Sequence, residues 1–400
     1  MSHKQTKGTE IMVIRIHMIQ NHSPANLNRS EGGEPKGSFF GGVWRSRISS
    51  QCLKRSIRMS DQFAGLRGGV RTRQLGKLIT ESAGPDAQSR VGNILSMCGF
   101  PSPEEKEAAK KTKKAAEKDE GDGGRSKSLV FTTHEAVQEM AALLRDGDDR
   151  SDTDLTTEFC KLLASRTASP DMALCGRMLE PAKSARSIWK KLGLGTSVEA
   201  ALQAAHAMST HEAHPETDWY VAVDDVPGDD AGAGFLGETF FVSACFYKYY
   251  SIDWETLVRN LGGFPDGKNT LAARTVDAFL RAAAMVNPSS KQNSFAAHNP
   301  PDGMLIEIDR ASLNYANAFV RPVPLDDRDI VGRSIAKLGR YVQDLDVGYG
   351  RPAKRFWFSP NLRYRLVGEG EGGDHLADGD FRSLDEMVSA VTATIAECVQ

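Results

Sequence analysis

The chain has 400 residues, 40% of them hydrophobic and 26% charged, with a formal net charge of −2, the composition of a soluble globular protein of about two or three domains, or of one domain with large insertions. No apolar run approaches the length of a membrane span and no signal peptide is evident, so no membrane-spanning helix is expected and the cytoplasm is the expected compartment. Six cysteines, at 52, 98, 160, 175, 245 and 398, form no C-x-x-C pair, so reduced thiols are expected rather than a disulfide or zinc frame.

The charge is unevenly placed. From Arg15 to Arg73, eleven Lys or Arg stand against three Asp or Glu, and the remainder is correspondingly acidic. A nucleic-acid groove on a protein that is not basic overall has this signature.

After a polar start, Ile11 to Ile19 alternates, with Met12, Ile14, Ile16 and Met18 on one face and Arg15 and His17 on the other. That predicts a half-buried strand, with His17 satisfied within it rather than catalytic. The polar loop over residues 21–38 contains Asn28, Arg29 and Lys36, and a loop of this length is either disordered or shaped by a ligand. The stretch Phe39–Ser60, FFGGVWRSRISSQCLKRSIRMS, carries the strongest functional signal. Ser49 or Ser50 is a good N-cap for a helix running to about Ser60. On that helix Gln51, Lys54, Arg55 and Arg58 share one arc, while Leu53 and Ile57 point the opposite way. Backbone N–H groups at the cap, followed by cations along the face, suit phosphate oxygens. Arg45 and Arg47 are expected to add to the same surface.

From about Asp61 to Pro170 the pattern is helical. Val70–Ser82 and Thr133–Asp146 read as helices, the second capped by Thr133. Glu104–Glu120 holds six lysines and six acids and reads as a charged helix or solvated linker. Asp171–Leu179 returns to strand-like alternation, and an amphipathic helix is expected over about Val198–Met208.

His211-Glu212-Ala213-His214-Pro215 has its histidines three apart with proline following, which does not fit the zinc helix motif. Residues 232–237 match G-x-G-x-x-G, yet no strand precedes them, no helix follows, and four nearby aspartates would repel a pyrophosphate. Thr239–Ile252 is the clearest strand. A helix over Leu271–Val286 stops at Asn287-Pro288, and a loop with Lys291, Gln292 and Asn293 leads into another strand. The C-terminal part has FWF at 356–358, a glycine-rich loop and a final helix over about Ser383–Glu397. Strands, a helix and further strands indicate an α+β fold with an antiparallel sheet.

Several separated blocks can then be considered together: IRIHMIQNHSPANLNR, FGGVWRSRISSQCLKR, DMALCGRM, HAMSTHE with DWYVAVDD, FYKYYSID, and SKQNSFAAHNP with ANAF. In this order they resemble the repeated backbone subunit of the type I-E CRISPR surveillance complex, Cascade. The resemblance implies an RNA-recognition-motif-like (ferredoxin-like) palm over residues 10–66 and 241–400. It further implies an inserted helical fingers domain over 67–183, a palm helix over 184–210 and a β-hairpin thumb over 211–240. Asn28, Arg29, Lys36, Ser49, Gln51, Lys54, Arg55 and Arg58 would hold guide phosphates. Arg177 and Met178 match a G-R-M block, with Met178 a wedge beside displaced bases. Tyr220 and Leu236 would be apolar thumb contacts to RNA, and Lys291 and Gln292 complete the RNA-binding set.

Implied partners are crRNA, target DNA, further copies in a helical filament, and the large, small, 5′-end-capping and crRNA-processing subunits, with no enzymatic activity, metal or cofactor. Two other readings stay open. One is a metal-dependent RNase backbone subunit of a related CRISPR effector, using Glu31, Glu34, Asp224 or Asp225, none paired with a histidine at a visible spacing. The other is a free-standing single-strand binder.

Overall fold

The computed structural model describes residues 12–101, 129–145, 150–222, 225, 235–263, 270–326, 329–350, 354–369 and 373–398. The charged tract 104–120 and the glycines at 232 and 234 lie outside the described residues. Two units are distinguished: Met1–Gly65 with Leu202–Glu255 and Pro265–Gln400, and Leu66–Ala201 with Thr256–Phe264. The mixed α+β class expected from the sequence is found, with a large and mostly antiparallel sheet.

In the first unit that sheet is built around Val13–Ala25. This strand pairs antiparallel with Phe235–Asp253 on one side, Ile16 opposite Tyr250, and with Gly303–Asp309 on the other, Ile16 opposite Ile306. Beyond Gly303–Asp309 come Lys354–Phe358 and then Gly379–Phe381, the last in parallel register. Beyond Phe235–Asp253 come Ala207–Ser209, Val43–Ile48 and Gly37–Phe40. One face packs against the Ile330–Tyr349 helix through Ile335, Leu338 and Val342. The other meets the Thr270–Met285 helix, where Phe279 lies edge-on to Tyr250.

Both sheet faces are therefore covered, and the leading strand is not half-buried as its alternation suggested. Arg15 and His17 are both 0% exposed, because the covering layer supplies partners that a buried charge requires. Glu307 is the hub. It takes Arg15 Nε at 3.1 Å and Arg355 Nε at 2.7 Å, and the Tyr315 hydroxyl donates to it at 2.8 Å. Arg355 also forks onto Asp346, both contacts at 2.8 Å. Burial alone would raise the Glu307 carboxyl; His17 and the two guanidiniums outweigh it and hold the group down at about 2. Burial lowers the His17 pKa, so the ring is neutral, accepting from Tyr247 Oη at 2.8 Å and stacked on Tyr315 at 4.1 Å. This arrangement agrees with the expectation of a satisfied strand histidine.

The second unit is mainly helical, with Leu75–Ala83, Gln88–Met97, His134–Arg145 and Asp152–Ser165 closing over Ile79, Ile94, Met140, Phe159 and Trp189. The cap at Thr133 forms as expected, its hydroxyl accepting from Ala136 N at 3.1 Å. Three local expectations are corrected. Val70–Ser82 opens with a strand, Gly69–Thr72, before the helix begins. Asp171–Leu179 is largely helical, Pro170–Cys175, because Pro170 stands at a first helical position where its missing N–H costs nothing. No helix occupies Val198–Met208, and the wider 184–210 holds one short helix, Arg186–Lys191, followed by the small strands Ser197–Val198, Leu202–Ala204 and Ala207–Ser209.

Candidate nucleic-acid interface

The helix read from the sequence runs over Ser50–Arg58, with Ser49 as its N-cap accepting from Cys52 N at 3.3 Å. Leu53 and Ile57 are buried, which fixes the opposite arc outward. Gln51 and Arg55 are exposed, and Lys54 and Arg58 are half-exposed. The polar loop before it is folded against the same helix. Asn28 accepts through Oδ1 from Ser49 N at 2.9 Å and through its carbonyl from Lys36 N at 2.9 Å. Asn26 donates to the carbonyls of Gly33 and Phe240. Arg29 and Lys36 are carried on this clamped loop, beside the helix start. No carboxylate forms a salt bridge with Arg29, Lys36, Lys54 or Arg55 among the described residues. The result is a cationic shelf with side chains left to find an external anion.

Three features differ from the expected shelf. Backbone amides at the helix start are mostly engaged: Ser49 N on Asn28, Ser50 N on His206 Nδ1 at 3.1 Å, and Cys52 N on the cap. Side chains, rather than an open helix N-terminus, are what remain for phosphate. Burial, with Arg47 and Lys36 nearby, lowers the His206 pKa, keeping the ring neutral so that Nδ1 can accept from Ser50 and from Arg47 at 3.1 Å. Arg45 is not on the surface at all. It is 0% exposed and donates to the carbonyls of Phe40, Ser209 and Phe319, a role in pinning the sheet edge that sequence alone did not show.

Asn28 and Ser49 thus belong to the scaffold of the shelf, and Arg29, Lys36, Gln51, Lys54, Arg55 and Arg58 to its face. Gln292 also turns inward: its amide donates to Pro288 O at 2.8 Å and Ala297 O at 3.4 Å. Lys291, half-exposed, precedes it in a left-handed conformation with φ 55°. In the second unit, Arg177 is buried, donating to Leu163 O at 2.6 Å, and burial lowers its pKa to about 10. The Arg177 guanidinium is thus enclosed within the unit, its Nε and Nη2 without a hydrogen-bond partner, whereas Met178 beside it is 67% exposed.

The hairpin of Glu216–Ala222 with Phe235–Asp253 pairs Val221 with Leu236 and Tyr220 with Gly237. Tyr220 closes over Gly237, where an added Cβ would meet the phenol ring at 2.5 Å. Trp219, Tyr220, Phe235 and Leu236 are all exposed, an apolar surface on a two-stranded ribbon. Sequence reasoning did not single out Lys248. It is 1% exposed, donates to Gln20 Oε1, and burial pushes its pKa down to about 7. Its signal was present: one lysine within the aromatic strand FYKYY.

Among the described residues, no cluster of three or more His, Cys, Asp or Glu could hold a metal ion. Asp224 lies outside the described residues; Glu31, Glu34 and Asp225 are exposed. His211 does not pair with His214. It is buried, its Nε2 accepting from Cys245 N at 3.1 Å, while His214 lies on Glu212 at 2.9 Å. No described helix is long and apolar enough to cross a membrane, and all six cysteines are free.

The family model of the CT1975-like proteins, a CRISPR-associated (Cas) family, matches residues 14–388. The chain belongs to that family. Two solved structures resemble this Cas protein over 96% of its length and 99% of their own. One, at 24% identity and a TM-score of 0.74, is described as a CRISPR RNA-guided surveillance complex, pre-nicking. The other, at 22% identity and a TM-score of 0.57, is described as a CRISPR RNA-guided surveillance complex. At these identities the likeness establishes a shared fold. Among curated proteins none matches.

Proposed function

We propose that this Cas protein is a non-catalytic backbone subunit of a type I-E CRISPR Cascade complex, holding crRNA by its phosphates and presenting the bases for pairing with target DNA. The observation that carries the reading is the shelf: Lys54 and Arg55 on a helix face whose reverse is anchored by Leu53 and Ile57, with Arg29 and Lys36 on the loop clamped beside it. Such contacts supply affinity without sequence information, as a scaffold for arbitrary guides requires. Base pairing then reads the target.

In this reading the large sheet is an RNA-recognition-motif-like palm, the second unit provides the fingers, and the exposed apolar hairpin is a thumb. Met178, Tyr220 and Leu236 are apolar contacts to the strand. Copies line up along the guide as a filament, with the large, small, 5′-end-capping and crRNA-processing subunits at its sides and ends, in the cytoplasm. Membership in a Cas family and the two surveillance-complex folds support this assignment.

The test is purification of the full chain with and without guide RNA. Co-purifying RNA and oligomers that lengthen with the RNA are expected, with nuclease protection at a regular spacing. A protein that stays monomeric on long RNA contradicts the filament. Mg²⁺-dependent cleavage of complementary RNA that disappears in Asp225→Ala contradicts the non-catalytic role.

A further inference from the structure

An open groove lies beside the shelf in the first unit, between the Gly37–Phe40/Val43–Ile48 hairpin and the segment leading into the thumb. It has room of about 380 Å³, and its lining includes Phe39, Trp44, Pro35, Pro215, Glu34 and Glu212. Phe39 and Trp44 are cross-strand partners, their rings 5.1 Å apart at 79°. Trp44 is fixed over Gly37, where an added Cβ would meet the indole at 2.3 Å. Phe39, by contrast, is 74% exposed, a flat apolar ring held open to solvent by a rigid neighbour.

The polar side chains of this groove are two carboxylates, Glu34 and Glu212, and one histidine, His214. Glu34 has no side-chain partner among the described residues, and Glu212 takes His214 Nε2 on Oε1 at 2.9 Å and also acts electrostatically on Arg45. No Lys or Arg lines the groove. Two carboxylates would repel phosphate, so the groove does not extend the shelf's chemistry. It complements a flat, uncharged group that stacks on a ring and offers N–H donors at its edge. Nucleobases have both properties: every base has a face to stack, and carboxylates accept from base N–H groups. The two sites are also contiguous, since Pro35 lines the groove and Lys36, the next residue, stands on the shelf.

We propose that this groove binds one nucleobase of the strand held by the shelf, stacked on Phe39 with its N–H edge on Glu34 or Glu212. The assignment rests on the shelf being the RNA phosphate site. An arginine from a protein partner is the competing occupant, and contiguity with the shelf favours the base.

The experiment uses the full chain and a fluorescent single-stranded RNA of about eight nucleotides, a length for one binding site. Phe39→Ala weakens binding about 5- to 140-fold, the range of one lost base–aromatic stack, and Phe39→Tyr restores it. The salt dependence of binding stays that of the native chain, because no phosphate contact is removed. A single abasic nucleotide walked along the RNA weakens the native chain at one position and has no further effect there in Phe39→Ala. Two results overturn the proposal. One is an abasic scan with no position coupled to Phe39. The other is unchanged binding of the short RNA with loss of assembly on long RNA, which gives the groove to a protein partner. Failure of the shelf reading shows elsewhere, as an unchanged salt slope in Lys54→Gln/Arg55→Gln.

Discussion

Removing Lys54 and Arg55 together isolates the phosphate reading from the fold. Neither side chain is tied to a carboxylate within the described residues, while the buried arc of their helix, Leu53 and Ile57, is untouched by the change. Lys54→Gln/Arg55→Gln is therefore expected to keep the native melting behaviour to within about 1 kcal/mol of stability. Each phosphate contact contributes about 0.7 to the slope of log affinity against log salt on a single strand. If Arg29, Lys36, Lys54, Arg55 and Arg58 each meet one phosphate, the native slope is about −3.5, and affinity falls about 130-fold between 50 and 200 mM salt. The double variant should show a slope of about −2.1 and a fall of about 20-fold. Fluorescence anisotropy of a labelled RNA, titrated at four or more salt concentrations, measures both. Weakened binding with the native slope would mean that the two residues act by shaping the loop rather than by neutralising phosphate. An unchanged affinity and slope would remove them from the interface.

Two further predictions concern buried charge beneath the shelf and in the sheet. Glu307→Gln should cost about 3–5 kcal/mol in a urea titration, since Arg15 and Arg355 lose the carboxylate between them. In the native chain that carboxyl sits at about 2, against 4.5 ordinarily. Its contribution is thus complete above about pH 5 and is lost as pH falls toward 2, by roughly 3 kcal/mol; equal acid loss in Glu307→Gln would refute the assignment. Lys248 has the opposite sign. Its pKa falls from 10.5 to about 7 on burial, so the unfolded chain binds the extra proton between those values and stability rises with pH by about 1.4 kcal/mol per unit there. Lys248→Met should raise the neutral-pH melting temperature and flatten that rise; a native profile that is already flat from about pH 7 to 9.5 sinks it.

What could be read from the sequence was what local physics decides. The Ser50–Arg58 helix announces itself by a serine cap and an apolar arc, and Thr239–Ile252 by aromatic, β-branched alternation; both are present. Long-range partners decided the rest. Arg15 and His17 looked like a solvent face because Glu307 and Arg355, which make their burial tolerable, lie far along the chain. The alanine-rich stretch near 198–208 has helix propensity, yet Leu202–Ala204 pairs with Tyr250–Ile252 and Ala207–Ser209 extends the sheet. Sheet pairing outweighs a few tenths of a kcal/mol per residue of propensity. The groove at Phe39 was invisible for the same reason: it needs Glu212 and Pro215 from a segment distant in sequence.

The same distinction sharpens the electrostatic argument. Counting cations from Arg15 to Arg73 credits the shelf with charge it does not display. Arg15 is neutralised inside the sheet, and Arg45 is enclosed by carbonyls. In the first unit six cations of this stretch remain at or near the surface, against the carboxylates Glu31, Glu34 and Asp61. The excess is modest, which suits the proposed role, in which many copies would hold one guide at once. A weak, repeated grip becomes strong by avidity along the strand, whereas one very basic patch per copy would bind any polyanion that came near. On this argument the salt slope measured per subunit should stay near −3.5 on RNA long enough for several copies, while the total slope grows in proportion to the number bound.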